Sequence, residues 1–595
     1  MSVAAVSRSA LAPRWRSFEA WVGTGRSGVV LFALALAVFA LQSAVLPVYP
    51  GRDMGRYVQT FVQYWYDDPV LPSVLSTRGP FAALGVSLPL ELGGVAAEIW
   101  LAVLYAASIV AWGAVAITFG ARAAILTTGL LLVYPGYGIL FHGLASDALF
   151  AAAFAGWAVL LSRAILRPSI RTFLVAGLGM GALVLVRPSN QVLVVFVLLP
   201  LVLRAPWRRR LEWVAAFFVV SAAVTQLWKA LMQLRYGDAV GPRPSGAVVV
   251  VALVLLPFLF SRAWGRRLVF LAIPLAVALV AVAAFRGSSE QNPLHYARSA
   301  AQSPPVDVFL FRAFELERIV SPDNGPASRE LGRVVQRELL TEEPYRSYGI
   351  DLDLFFSSGN DRFFADLTRL GGVDLQAVTR EAIRAHPTAF ATGIAQTIWL
   401  MLWDRRVYAP LDAAEDSEAS AGTDEAEFVV VNGQRLPRPS EGAPIPASHF
   451  GEAIWTLGGG AREVWKSPTE HPLVFDDPRD EARYLRFERD TSRLADRIPT
   501  RDDNPELVHR LNQASHVFPA LAVWLALGLL AVAVRRPQHA LVALAPAAAA
   551  LVVIVGTSLV AVAAAEYAMP VSPAFIVLAA AGVVGAHPRG GLRLP

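Results

Sequence analysis

The chain has 595 residues, of which 55% are hydrophobic and only 17% charged, with a formal net charge of +5. A soluble protein carries about a quarter charged residues, so the composition excludes an ordinary soluble domain, and basic loops on one side of a membrane account for the charge without nucleic acid. Cysteine is absent, which excludes disulfides, thiolate metal sites and thiol catalysis.

Lysine is also nearly absent, Lys229 and Lys466 standing against abundant Arg, Ala and Val, the bias of a high-GC bacterial genome. Arg8, Arg14, Arg16 and Arg26 precede the first apolar run in the charge order of a signal peptide. No small-residue cleavage site precedes Pro47, so a retained first helix is expected. Apolar runs follow over 27–46, 95–119, 123–141, 147–166, 172–187, 189–203, 211–234, 247–262 and 268–285, and after a long polar insert over 516–534, 539–563 and 570–586. Crossing a bilayer takes about 20 apolar residues. The expected fold class is therefore an α-helical polytopic membrane protein of roughly twelve spans with a mixed, mainly helical outer domain. The chain divides into a transmembrane module over 1–285 with a first outer loop at 47–94, an extracytoplasmic soluble domain over 286–515, and C-terminal transmembrane helices over 516–595.

Orientation follows from the arginines. With the N-terminus inside, the inner loops carry Arg122; Arg163, Arg167 and Arg171; Arg204 with Arg208, Arg209 and Arg210; Arg262, Arg266 and Arg267; and Arg535 with Arg536, while Arg589 and Arg593 follow the last span. Every inner loop is basic, which puts both termini in the cytoplasm of a bacterial plasma (inner) membrane. The loop 47–94, the turns at 142–146 and around Arg187, the segment 235–246, the insert and Glu566-Tyr567 then lie outside.

Within the first outer loop, Met54, Tyr57, Val58, Phe61, Val62 and Trp65 recur at three- and four-residue steps, with Arg56, Gln59 and Gln63 opposite. That period predicts an amphipathic helix lying on the membrane surface. Asp53 stands at its start, as a plain N-cap or as a catalytic acid held above the bilayer. In the insert, helices are expected at 313–319, 328–340 and 375–385, and an apolar segment at 391–403 resting on the membrane. An acidic mobile loop is expected at 411–427, and Asn432-Gly433 predicts a hairpin across 428–436.

Polar side chains gather at the outer helix ends. Asp53, Arg78, His142, Asp147, Arg187, Glu566 and Tyr567 come from several different segments. A charge near membrane depth costs about 2.5–3.5 kcal/mol on insertion scales and faces a cavity or a partner. Each also has a plain structural reading. Asp147 can cap the fourth span, Arg187 can snorkel to headgroups, Tyr567 can be an interfacial aromatic, His142 a hydrogen-bonded loop histidine, and Asp67-Asp68-Pro69 a solvated turn.

The order of these features resembles the GT-C superfamily of polyprenyl-phosphate-sugar glycosyltransferases, in the branch of protein O-mannosyltransferases and the lipid A aminoarabinose transferase. The resemblance runs through Asp53 and Tyr57, Arg78-Gly-Pro-Phe-Ala-Ala-Leu84, Tyr134-Pro135, Ser146-Asp147-Ala-Leu-Phe150, Gly181-Ala-Leu-Val-Leu-Val-Arg-Pro188, Ala385-His-Pro-Thr-Ala-Phe390 and Glu566-Tyr-Ala-Met-Pro-Val-Ser-Pro573. It covers residues 27–235 and the last span, and hardly touches 286–515. Glu566 stands where the family's last-span motif often has the arginine that helps hold the carrier phosphate. Met54 follows Asp53 where protein mannosyltransferases have an adjacent Asp-Glu pair, so the resemblance favours a cell-envelope glycan or lipid acceptor over a protein.

The resemblance implies a mannosyltransferase-like enzyme in which an acceptor hydroxyl attacks the anomeric carbon of a polyprenyl-phosphate sugar with inversion. It implies Asp53 as base; Arg78, Arg187 and Tyr567 around the donor phosphate; Asp147 orienting Asp53 or joining it on a divalent metal ion; and Arg52, Arg56, Tyr57, His142 and Glu566 lining the site. Two other readings stand beside it: an inactive scaffold of the same fold, and a flippase or transporter, for which Lys229 within the seventh span is the main feature.

Overall fold

The computed structural model describes residues 19, 21–22, 24–51, 53–65, 78–236, 309–342, 345–346, 349–358, 363, 367, 370, 373–403, 428–431, 434–437, 461–463, 473–475, 477–498, 510–511, 513–559 and 565–585. Helix α1 spans Gly25–Ser43, begun by the Thr24 side chain accepting from the Ser27 N–H. A two-residue strand β1 (Tyr49–Pro50) leads into α2 (Met54–Trp65). Then come α3 (Pro80–Leu92), α4 (Gly94–Ala116), α5 (Ala121–Val133), α6 (Pro135–Leu140), β2 (Gly143–Leu144), α7 (Ser146–Leu166) and α8 (Ile170–Val186). A 3-10 helix over Pro188–Val202 precedes α9 (Trp207–Tyr236).

Among the described residues, α1, α4 with its 3-10 extension to Phe119, α7, and a C-terminal helix over Leu541–Ser558 are long and apolar enough to cross a membrane. Others are shorter. The run expected as one span at 123–141 is broken, because Pro135 cannot continue the backbone ladder and drives Tyr134 to φ −80°, ψ 105°. The 15-residue run Pro188–Val202 is wound as a 3-10 helix. At a rise of about 2.0 Å per residue it extends about 30 Å, the thickness of a bilayer core, where an α-helix of that length would fall short. The expected spans 247–262 and 268–285, the loop 411–427, and Asp67 with Asp68 lie outside the described residues.

Helix α2 buries Met54, Tyr57, Val58, Phe61 and Val62 as its period requires, but Gln63 is buried as well and Trp65 is exposed. The reason is a second cover. The expected polar face is enclosed because α2 packs both on α3 and beneath a helix of the insert.

The described part of the insert contributes to two cores. A π-helical turn Arg312–Leu316, α10 (Pro326–Val334), α11 (Leu352–Ser358) and α12 (Leu375–Ala385) enclose an aromatic core of Phe314, Tyr345, Phe355, Phe356 and Phe363. Helix α13 (Pro387–Trp403), hairpin strands β3 (Phe428–Val431) and β4 (Gln434–Pro437), strands β5 (Ala461–Glu463) and β6 (Leu473–Phe475), and α14 (Pro478–Ala495) follow. β3 and β4 pair antiparallel with Val431 opposite Gln434, while Asn432 and Gly433 lie outside the described residues. Met401 of α13 and Phe487 and Leu494 of α14 belong to the same core as the membrane helices. Arg497 fastens α14 by donating to the Leu90 and Glu91 carbonyls at the end of α3 (3.0 and 2.6 Å), and it pairs with the Glu91 carboxylate at 3.0 Å. The chain closes with α15 (Leu521–Arg535), α16 (Leu541–Ser558), a short α17 (Ala565–Ala568) and α18 (Pro573–Val584).

Two glycines set how closely the outer loops approach. Strands β1 and β2 pair in parallel, Tyr49 with Gly143 and Pro50 with Leu144. A Cβ at Gly51 would then lie 2.6 Å from the Ala145 Cβ. Gly79 lies against the end of α8, where a Cβ would collide with the carbonyl oxygens of Leu185 and Val186. Backbone cannot yield as a side chain can. Gly79→Ala is expected to lower stability by about 1–3 kcal/mol through overpacking, while Gly55→Ala, on α2 with nothing within 4 Å, should be neutral or gain roughly 0.5–1 kcal/mol of helix propensity. Thermal unfolding of the two variants in detergent measures the contrast.

Candidate functional site

The two close approaches bring four chain segments to one place. Gly51 is two residues before Asp53, Ala145 two before Asp147, Gly79 one after Arg78, and Val186 one before Arg187. The polar residues predicted from separate helix ends therefore meet.

The inner layer is built around Arg187. Its guanidinium pairs with the Asp147 carboxylate, and the two side chains are only 14% and 10% exposed. Arg187 Nε donates to Ser146 Oγ at 3.0 Å, and the Tyr57 hydroxyl donates to the same oxygen at 2.8 Å. The rings of Phe150 and Tyr567 lie 5.3 and 6.0 Å from Arg187 Cζ, within cation–π range. Of the five N–H groups on a guanidinium, those on Nη1 have no protein partner among the described residues. Both ion-pair partners also suit their helix ends. Asp147 sits in the first turn of α7 and Arg187 at the C-terminal end of α8, so each charge opposes the local helix dipole.

The outer layer is more open. Arg78 Nη2 lies 3.4 Å from Asp53 Oδ2, with side chains 29% and 40% exposed. Asp53 stands immediately before α2 at φ 60°, a left-handed conformation that costs most residues about 1–2 kcal/mol and that Asp tolerates better. Its carbonyl accepts from the Arg56 and Tyr57 N–H groups at 3.0 and 3.2 Å, so its backbone starts the helix while its carboxylate faces Arg78. Tyr57 links the layers. Burial raises the pKa of its phenol above the usual value, against the opposing pull of Arg187, Arg78 and the Ser146 hydrogen bond.

Other predicted residues fall elsewhere. His142 is fully buried, its ring stacked on Phe39 at a centroid distance of 4.4 Å and its Nε2 3.5 Å from Gln42 Oε1. Burial lowers its pKa to about 3, so it is a neutral core histidine, and its carbonyl supports the loops by accepting from the Tyr49 N–H at 3.0 Å. Arg56 is half-buried on α2. Arg52 and the side chain of Glu566 lie outside the described residues. Ser146 and Phe150 are the members that sequence reasoning did not single out as site residues; the hydroxyl directly preceding Asp147 at a helix start was the available signal.

The expectation of a divalent ion shared by Asp53 and Asp147 does not fit this donor set. Each carboxylate is committed to a different arginine, and among the described residues no group of three or more His, Cys, Asp or Glu comes together.

The fold and the site define a helical membrane protein with a two-layered carboxylate–arginine cluster where its loops converge. No family model matches the chain, and no curated protein matches it. Among solved structures it is similar to ArnT from Cupriavidus metallidurans bound to undecaprenyl phosphate, with 17% identity and a TM-score of 0.29 over 64% of this chain and 80% of that one. It is also similar to ArnT from the same organism in the apo state, with 19% identity and a TM-score of 0.27 over the same shares.

The two ion pairs differ in what their loss should cost. Asp147→Asn leaves Arg187 nearly buried without its counter-charge and should destabilise by about 3–5 kcal/mol. Asp53→Asn breaks a partly exposed pair, worth less than about 1 kcal/mol. Denaturation midpoints of the two variants in one detergent are expected to rank accordingly.

Proposed function

We propose that the chain is a glycosyltransferase that moves a sugar from a polyprenyl-phosphate donor to an acceptor hydroxyl on the extracytoplasmic face, with inversion. The observation that carries this reading is the division of labour between the layers. A partly exposed carboxylate, Asp53, is held beside Arg78, next to a nearly buried cation, Arg187, whose Nη1 has no protein partner among the described residues. Transfer of this kind needs a base within about 2.6–3.2 Å of a weakly nucleophilic hydroxyl. It also needs fixed positive charge for a departing phosphate.

In this reading the acceptor oxygen forms a bond to the anomeric carbon as the bond from that carbon to the phosphate oxygen breaks. Asp53 takes the hydroxyl proton, and the polyprenyl phosphate departs with the electron pair. Arg78 and Arg187 receive the negative charge, with Arg187 held in place by Asp147 and Ser146. Tyr57 fixes Ser146 and keeps α2, and so Asp53, at a constant height. Tyr567 covers the guanidinium from the last-span side. The apolar helices supply the environment for the prenyl tail, and a cell-envelope glycan or lipid is the acceptor class that the lack of an Asp-Glu pair favours. The active site then faces away from the cytoplasm in a bacterial plasma membrane, with both termini inside, as the arginine distribution supports.

Membranes enriched in the protein, incubated with radiolabelled polyprenyl-phosphate sugars, test the reading. Wild type is expected to remove label from one carrier, and Asp53→Asn to lose at least about two orders of magnitude of that rate while folding normally. Full transfer by Asp53→Asn would overturn the assignment of the base. No turnover of any donor by folded wild type would replace the enzyme with a scaffold, and label crossing the bilayer still attached to its lipid would replace it with a flippase.

A further inference from the structure

A second buried cation lies away from the cluster. Arg312, at the start of the π-helical turn in the insert, is 1% exposed. Its Nη1 donates to the Ser558 carbonyl at the end of α16. Its Nη2 donates to Glu317 Oε1 at 2.6 Å and to Thr397 Oγ1 of α13 at 3.0 Å. The packing is tight enough that a Cβ at Gly393 on α13 would collide with the Glu317 carboxylate. One guanidinium thus joins three elements separated by up to 246 positions in the chain.

A buried ion pair is a poor device for stability, since desolvation offsets much of its attraction, and its better-attested use is to fix one register among several. Here the register fixed is that of the insert on the membrane helices. Ser558 ends α16, and the chain runs from there to α17, which carries Tyr567. Helix α17 is packed against both α16 and α13, the two elements that Arg312 clamps. The Tyr567 ring in turn lies 6.0 Å from Arg187 Cζ.

We propose that Arg312 is a positioning residue: through Ser558 and α13 it sets the place of Tyr567 over Arg187, so that the outer domain holds part of the site in register. This rests on the transferase reading only in regarding the Arg187 neighbourhood as the site, and its test needs no turnover. The chain contains no cysteine, but a smaller probe is preferable at an aromatic position. 3-Fluorotyrosine placed at 567 in the full-length protein gives a 19F resonance, and Arg187→Gln calibrates how far that line moves when the cation beneath the ring is removed.

Arg312→Gln is expected to move the 567 line by a comparable amount or to split it. Thr397→Val, which removes only the α13 arm, should produce a smaller shift and carries the test if Arg312→Gln fails to fold. Arg497→Gln cuts a different tie between insert and membrane module and should leave the line in place. An unmoved line in folded Arg312→Gln, or in Thr397→Val when that variant carries the test, would overturn the proposal. Equal shifts in Arg312→Gln and Arg497→Gln would do so too, because they would report general loosening. A wild type without transferase activity, but with the 19F response intact, would sink the functional reading and leave this one standing.

Discussion

A guanidinium at the end of an apolar helix cannot be left without a counter-charge, and the arrangement of the outer loops follows from satisfying Arg187. Its donors reach Asp147 and Ser146, which start another helix 40 residues away in sequence. The Tyr57 hydroxyl reaches the same serine across 89 positions. Such distant segments meet only if the backbone allows it. The Gly51–Ala145 and Gly79–Val186 approaches provide that closeness: a Cβ at Gly51 would meet the Ala145 Cβ beside the β1–β2 bridge, and one at Gly79 would meet the backbone at the end of α8. The cation and the glycines are two parts of one constraint.

The same constraint separates two functions that carboxylates can serve. Asp147 is enclosed, lies in a helix first turn and is committed to Arg187, so in the proposed reaction its work is positional. Asp53 is held by a left-handed backbone at the lip of the cluster, more exposed and more loosely paired. A group that must meet a substrate proton belongs in the second setting. The insert adds a third element. With α14 fastened to Glu91 and the Arg312 clamp on Ser558, it is joined to the membrane module at both the first outer loop and the approach to the last span.

Much of this was legible in local pattern. The stripe from Met54 to Trp65 predicted α2, Arg187-Pro188 predicted a helix end, and Asn432-Gly433 predicted the hairpin, because each depends on residues close in sequence. What failed were statements about what covers a surface. Gln63 was placed on a polar face because nothing in 54–65 announces α14, more than 400 residues later. His142 was expected to line the site, but the loop folds inward and the imidazole stacks on Phe39. Ser146 was passed over because a serine at a helix start has an ordinary explanation, and its two incoming hydrogen bonds come from partners that no spacing rule connects. The residues of the cluster could be gathered from the sequence, but which carboxylate pairs with which arginine could not.

In the proposed reaction Arg187, held by Asp147 and Ser146, forms the seat of the lipid-linked phosphate. The most direct measurement is 31P NMR of a polyprenyl phosphate in nanodiscs containing the folded protein. A shifted and broadened phosphate resonance is expected with wild type, returning to the free-lipid position with Arg187→Gln. A resonance unmoved by wild type, or one that stays shifted with Arg187→Gln, would contradict that role of Arg187.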